Sequence, residues 1–95
     1  MVIIHAYLKV KQDQQAKFLE AAKNVIEHSQ AEEGNNSYNL YEDTQQENAF
    51  VFVEEWRDRA AIDEHEQTQH FKDFIRVLPE LLAEEISVKK YEVSR

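Results

Sequence analysis

The chain has 95 residues, 42% of them hydrophobic, with one Trp, four Tyr and five Phe. That length and composition predict a single domain, residues 1–95, whose modest core association often completes. Eleven Lys and Arg against nineteen Asp and Glu give a net charge of −8, which disfavours nucleic acid and anionic membrane as partners. The lack of cysteine excludes disulfides, thiolate metal sites, iron–sulfur clusters and a Cys nucleophile, and a single glycine leaves no material for a phosphate loop or dinucleotide fingerprint.

Residues 2–10 alternate cleanly. Val2, Ile4, Ala6, Leu8 and Val10 share one face and Ile3, His5, Tyr7 and Lys9 the other, which predicts a strand. The run is too short and polar for a signal peptide or membrane span, so the expected location is cytoplasmic. Residues 13–31 read as an amphipathic helix with Phe18, Leu19, Ala22, Val25, Ile26 and Ser29 as its buried stripe. Gly34 follows where a left-handed C-cap is wanted. Residues 37–42 form a second strand, residues 43–48 a polar hairpin loop, and residues 49–56 a third strand. The third strand places Phe50, Phe52, Glu54 and Trp56 together on one face.

Asp58 is positioned to cap a helix reaching Glu66. Thr68 can recap a second piece, with Phe71, Phe74, Ile75, Leu78 and Leu82 on its apolar side and Pro79 as a kink or restart. Alternation resumes over residues 86–93. The order is β-α-β-β-α-β, which predicts an α+β, ferredoxin-like subunit: a four-stranded antiparallel sheet with helices on one face. Strands one and three carry large apolar residues on both faces, so the uncovered side needs a partner. A second copy packed sheet to sheet, a homodimer, is the expected one.

His65 follows Ala61 and Ile62 by four and three residues and shares their sheet-facing side. A His there is commonly a packed core residue. In a half-apolar cleft its neutral form is favoured, which suits a general base. His5 and Tyr7 on strand one and Trp56 at the end of strand three are the groups expected to converge on it. His70 is placed at the pocket rim or in solvent. Five residues separate it from His65, not the four that stack two ligands on one turn, so no metal site is expected. Glu54, drawn into the interior or the subunit interface beside Trp56, would need a partner such as Lys89, Lys90, Arg57 or Arg59 from either chain.

Glu33-Gly34 with Tyr38-Asn39-Leu40, then Glu54-Glu55-Trp56, then His65 with Thr68-Gln69-His70-Phe71, resemble the antibiotic biosynthesis monooxygenase family. Its pattern reads E-x-G-x-x-x-Y-x-L, E-x-W and H-x-x-T-x-H-F. The resemblance implies a dimeric α+β barrel and a cofactor-free oxygenase using O₂ on a small quinol or phenol. In that reading His65 is the catalytic proton-handling group. Trp56, Tyr7, Phe71 and Phe74 form aromatic walls, and His5 and His70 complete the substrate site. The haem-degrading branch of the fold carries a ligating His further along the helix, where this chain has Ile75, so haem is not expected. The chain also resembles isomerases of phosphorylated autoinducer-2, which would want a basic pocket with Lys9 as its main candidate. A small-ligand-binding dimer without turnover is the remaining alternative.

Overall fold

A computed structural model describes residues 1–94. Arg95, the last residue of the expected domain, lies outside them. In chain order the elements are β1 (Val2–Lys9), a 3₁₀ turn (Gln12–Gln14), α1 (Gln15–Gln30), β2 (Asn35–Glu42), β3 (Ala49–Trp56), α2 (Arg59–Glu66), α3 (Gln69–Leu81) and β4 (Ser87–Glu92). The strands form one antiparallel sheet in the order β2-β3-β1-β4. This is the ferredoxin-like α+β subunit that the element order predicts.

Alternation in β1 decides what lies under the helices. Val2, Ile4, Ala6 and Leu8 are all buried, whereas Tyr7 on the opposite face is exposed and Ile3, His5 and Lys9 are half-buried. From β3 the same layer takes Phe50, Phe52, Glu54 and Trp56. From α1 it takes Phe18, Ala22, Val25 and Ser29, one residue per turn down a single line. Leu19 is one position off that line and is 41% exposed, so the buried stripe is narrower than expected. Phe18 has no exposed surface and meets Phe50 at 5.1 Å and Phe74 at 6.3 Å between ring centroids, joining α1, β3 and α3. Burying one such ring stabilises the fold by about 1.5–3 kcal/mol.

Gly34 does not form the expected left-handed cap, because no glycine has positive φ. Its role is close approach. A Cβ at Gly34 would overlap Ala61 Cβ on α2, so the missing side chain lets α2 settle against the turn between α1 and β2. Gly34→Ala should therefore cost about 1–3 kcal/mol by overpacking, and adding Ala61→Gly should recover part of it. Urea unfolding of both variants measures this, and a Gly34→Ala protein as stable as the parent would refute it.

The two later helices begin as expected. The Asp58 carboxylate accepts from the Ala61 N–H at 2.8 Å. Thr68 is extended, its hydroxyl accepting from the Phe71 N–H at 3.3 Å and donating to the His65 carbonyl at 2.6 Å. One threonine thus ends α2 and starts α3. Pro79 does not restart α3; it lies in the last turn of one continuous helix that ends at Leu81.

Candidate active site

A cavity of about 530 Å³ lies between the helix-side face of the sheet and the α2–α3 pair, within the range that small-molecule sites occupy. Ile4, Ala6, Tyr38, Phe52 and Glu54 rise from the strands, and Ile62, His65, Phe71, Phe74 and Leu78 descend from the helices. Glu66, Ile75, Ile86, Val88 and Lys90 complete the lining. Ile75 and Val88 are 42% and 49% exposed, which locates the opening between α3 and the edge strand β4. Apolar groups dominate the wall, and the polar ones gather at one end.

His65 is 2% exposed. Its Nδ1 lies 2.6 Å from the Glu32 carboxylate, and its Nε2 is buried with no hydrogen-bond partner among the described residues. An ionised carboxylate only accepts, so Nδ1 carries the proton and Nε2 presents a free lone pair. Burial holds the ring's pKa below its ordinary value, opposed by the hydrogen bond and charge of Glu32. The result is a neutral imidazole of fixed tautomer among rings: Trp56 at 4.6 Å, Phe71 at 4.8 Å and Tyr38 at 5.6 Å between centroids. His70 joins from α3, its Nε2 lying 2.7 Å from the same Glu32 oxygen.

Glu54 is the second polar group of the cavity. Its carboxylate accepts from the Trp56 indole N–H at 2.9 Å. Burial pushes its pKa up to about 7, although Trp56 and the charge of Lys90 pull the other way. Within the chain the direct partner is the neutral indole donor, and of the expected cations Lys90 acts on Glu54 through its charge while it pairs with Glu66 at 3.9 Å. Burial also raises the Tyr38 phenol well above its ordinary range, which keeps it neutral.

The structure brings together only some of the expected site residues. His65, Phe71 and Phe74 line the cavity. Trp56 does not form a wall: it is wholly buried behind His65 and Glu54 and supports them. His70 is neither free in solvent nor a wall; it is tied to Glu32. His5 and Tyr7 are corrections. Their register partners are Val53 and Val51, so both project from the sheet face opposite the helices, where His5 meets Tyr91 at 5.3 Å and Lys89 sits over the Tyr7 ring. Lys9 lines a separate depression beside Glu42, Asp43 and Glu84, so it cannot supply a basic pocket next to His65.

Periodicity misses Glu32. It follows the end of α1, where the helical repeat no longer applies, and one signal could have found it: in E-x-G the glutamate stands two before Gly34, at Glu32 and not at Glu33. With that register the three motifs, well separated along the chain, meet at one point. The E-x-G glutamate holds both histidines of H-x-x-T-x-H-F, and the E-x-W glutamate and tryptophan stand beside them.

Comparison with known proteins identifies the family. Residues 1–77 match the family described as "Antibiotic biosynthesis monooxygenase". The chain is 42% identical to "Putative monooxygenase YcnE" of Bacillus subtilis (strain 168), with 99% of each covered. It is 39% identical to the uncharacterised protein sll1783 of Synechocystis sp., covering 98% of this chain and 63% of that one. A crystal structure of an antibiotic biosynthesis monooxygenase superposes with TM-score 0.92 at 26% identity over the whole of both chains. The Mycobacterium tuberculosis protein Rv0793 superposes with TM-score 0.93 at 26% identity, with 99% and 95% covered. By motif, fold and relatives alike, this chain belongs to the antibiotic biosynthesis monooxygenase family.

Proposed function

We propose that the protein is a cofactor-independent monooxygenase that oxidises a small electron-rich quinol or phenol with O₂, using His65 as the base. The observation that carries this is His65 in the lining of an apolar cavity, with Nδ1 anchored on Glu32 and a buried Nε2 that has no hydrogen-bond partner among the described residues. Family membership and the YcnE relative support a monooxygenase-type reaction. The aromatic wall of Phe71 and Phe74 suits a flat aromatic ring. A phosphorylated sugar-like substrate fits less well, because Lys90 is the one Lys or Arg in the lining among the described residues and two carboxyl groups, Glu54 and Glu66, share the cavity with it.

The chemistry follows from the substrate's own electrons. His65 Nε2 takes the hydroxyl proton, and the anion passes one electron to O₂, giving a carbon-centred radical and superoxide. The two combine at a ring carbon as a peroxide. The peroxide takes back the proton held by His65; the ring carbon then loses its hydrogen as the O–O bond breaks, which leaves one oxygen on that carbon as a carbonyl and releases the other with both hydrogens as water. A hydroquinone plus O₂ becomes a hydroxyquinone plus water. Exclusion of bulk water protects the anion and the peroxide, and the imidazole is neutral when its proton-accepting step begins.

An oxygen electrode run with a panel of quinols and phenols, without added metal, flavin or nicotinamide, tests the reaction. Uptake matched by transfer of one atom of labelled O₂ into product is the expected result. No uptake above the protein-free blank with any ring that fits the cavity would refute it.

A two-fold dimer through the open sheet face belongs to the same reading. That face carries Ile3, Val51 and Val53, half-buried without any layer above them, and Tyr7, Tyr41 and Tyr91 exposed by 42%, 53% and 45%. Val53 lies at its centre between His5 and Asn39. The wild-type chain should sediment at twice 11.3 kDa, and Val53→Asp, which sets a carboxylate in the middle of the patch, should sediment as the monomer. A wild-type monomer would remove the dimer.

A further inference from the structure

We propose that Glu32, His65 and His70 also form a binding site for a divalent transition-metal ion of the zinc class, and that occupation of this site silences His65. The second half rests on His65 being the base; the binding half does not.

Spacing argues against such a site in a continuous helix, since ligands five apart point in different directions. The helix is not continuous. Thr68 resets the backbone between α2 and α3, and both rings turn onto one carboxylate. Glu32 Oε2 lies 2.6 Å from His65 Nδ1 and 2.7 Å from His70 Nε2, and one donor atom from each residue falls within 4.8 Å of the others. Two imidazoles and one carboxylate are the three-protein-ligand set that zinc uses when its fourth position is left to water. The imidazoles favour zinc, copper or nickel over magnesium or calcium.

The fit needs a small expansion. Metal–ligand bonds of about 2.0–2.1 Å at tetrahedral angles separate the donors by about 3.3 Å, so each N–O contact must open by about 0.6 Å. Glu32 sits in the turn after α1 and His70 in the first turn of α3, each with 15% of its side chain exposed. These two can move and can admit an ion and its water from the surface, while His65 stays packed at 3% side-chain exposure. A net charge of −8 favours a cation.

Metal binding at Nδ1 has a definite consequence at Nε2. The ring keeps one proton, and with Nδ1 coordinated that proton moves to Nε2, the nitrogen that has no hydrogen-bond partner among the described residues. The lone pair proposed to accept the substrate proton is then gone. The ion acts as an off-switch from behind the ring, without entering the cavity.

Untagged protein dialysed against a chelator and titrated with Zn²⁺ in competition with a chromophoric zinc indicator, at about pH 7.5, tests the site. One ion per chain with micromolar or tighter affinity is expected, with no competition from Mg²⁺ at equal concentration. Glu32→Gln and His70→Ala should each weaken binding by ~10-fold or more. His28→Ala should not, because His28 stacks on His70 at 5.5 Å but contributes nothing to the donor set. Either substitution alone decides the matter if the other fails to fold. Absence of binding, or binding indifferent to both, overturns the site. In the same samples quinol-dependent oxygen uptake should fall in proportion to zinc bound. Binding with undiminished uptake would keep the ion site and overturn the assignment of the base to His65.

Discussion

His65→Gln is expected to lower quinol-dependent oxygen uptake by ~10²–10⁴-fold, the span that a positioned acid–base group contributes. The loss should fall on kcat more than on KM. Glutamine can still donate to Glu32 and still fills most of the space beside Trp56 and Phe71, so the cavity that binds the ring is kept. What it lacks is a basic lone pair at the position of Nε2, which in the parent has no hydrogen-bond partner among the described residues. Glu32→Ala should give a smaller loss of ~10-fold or more, because it frees the ring to place its proton on either nitrogen without removing the base. Stopped-flow or electrode kinetics, with circular dichroism to confirm folding, check both. An unchanged kcat in His65→Gln would pass the role to Glu54, a carboxyl in the same lining whose pKa burial raises to about 7.

Particular residues show how far periodicity reaches. The alternation of β1 and the stripe of α1 predict the strand, the helix and the side of each that is buried, because burial acts on the same two periods that the side chains follow. The direction of His65 is legible for the same reason: Ala61 and Ile62 fix that face of α2. The same logic, carried one step further, separates His5 and Tyr7 from His65. The wholly apolar set of β1 must lie under the helices, so the alternate set lies on the other side of the sheet. Grouping all three joins two faces that one sheet keeps apart. Other features are out of reach of periodicity. Glu32 stands in a turn, where no period applies, and only motif spacing locates it. The meeting of His65 and His70 depends on the backbone break at Thr68, and a spacing rule for continuous helices gives the wrong answer across a break. Gly34 reads as a cap from its place after a helix, yet the constraint on it comes from Ala61, in a different helix, which local sequence does not display.

Glu54→Gln should make the protein more resistant to unfolding at pH 8 than the parent, with the advantage shrinking toward pH 5. The Glu54 carboxyl is 6% exposed, and burial raises its pKa from an ordinary 4.5 to about 7. Between those two values the folded chain holds a proton that the unfolded chain has released, so stability falls as pH rises through this window and is level above it. Two and a half pKa units correspond to about 3 kcal/mol, a large share of the 5–15 kcal/mol that typically holds a domain together. The substituted glutamine keeps an amide oxygen to accept from the Trp56 indole but cannot ionise, so it removes the pH-dependent part and leaves the hydrogen bond. Urea unfolding of both proteins at pH 5 and pH 8, at one fixed chain concentration so that any association is held constant, measures the difference. Parallel stability curves would mean that Glu54 ionises as freely in the fold as in water. The cost of holding this carboxyl has a functional counterpart. A group that changes protonation near neutrality, facing the same cavity as a neutral imidazole, gives the site a second place to put a proton.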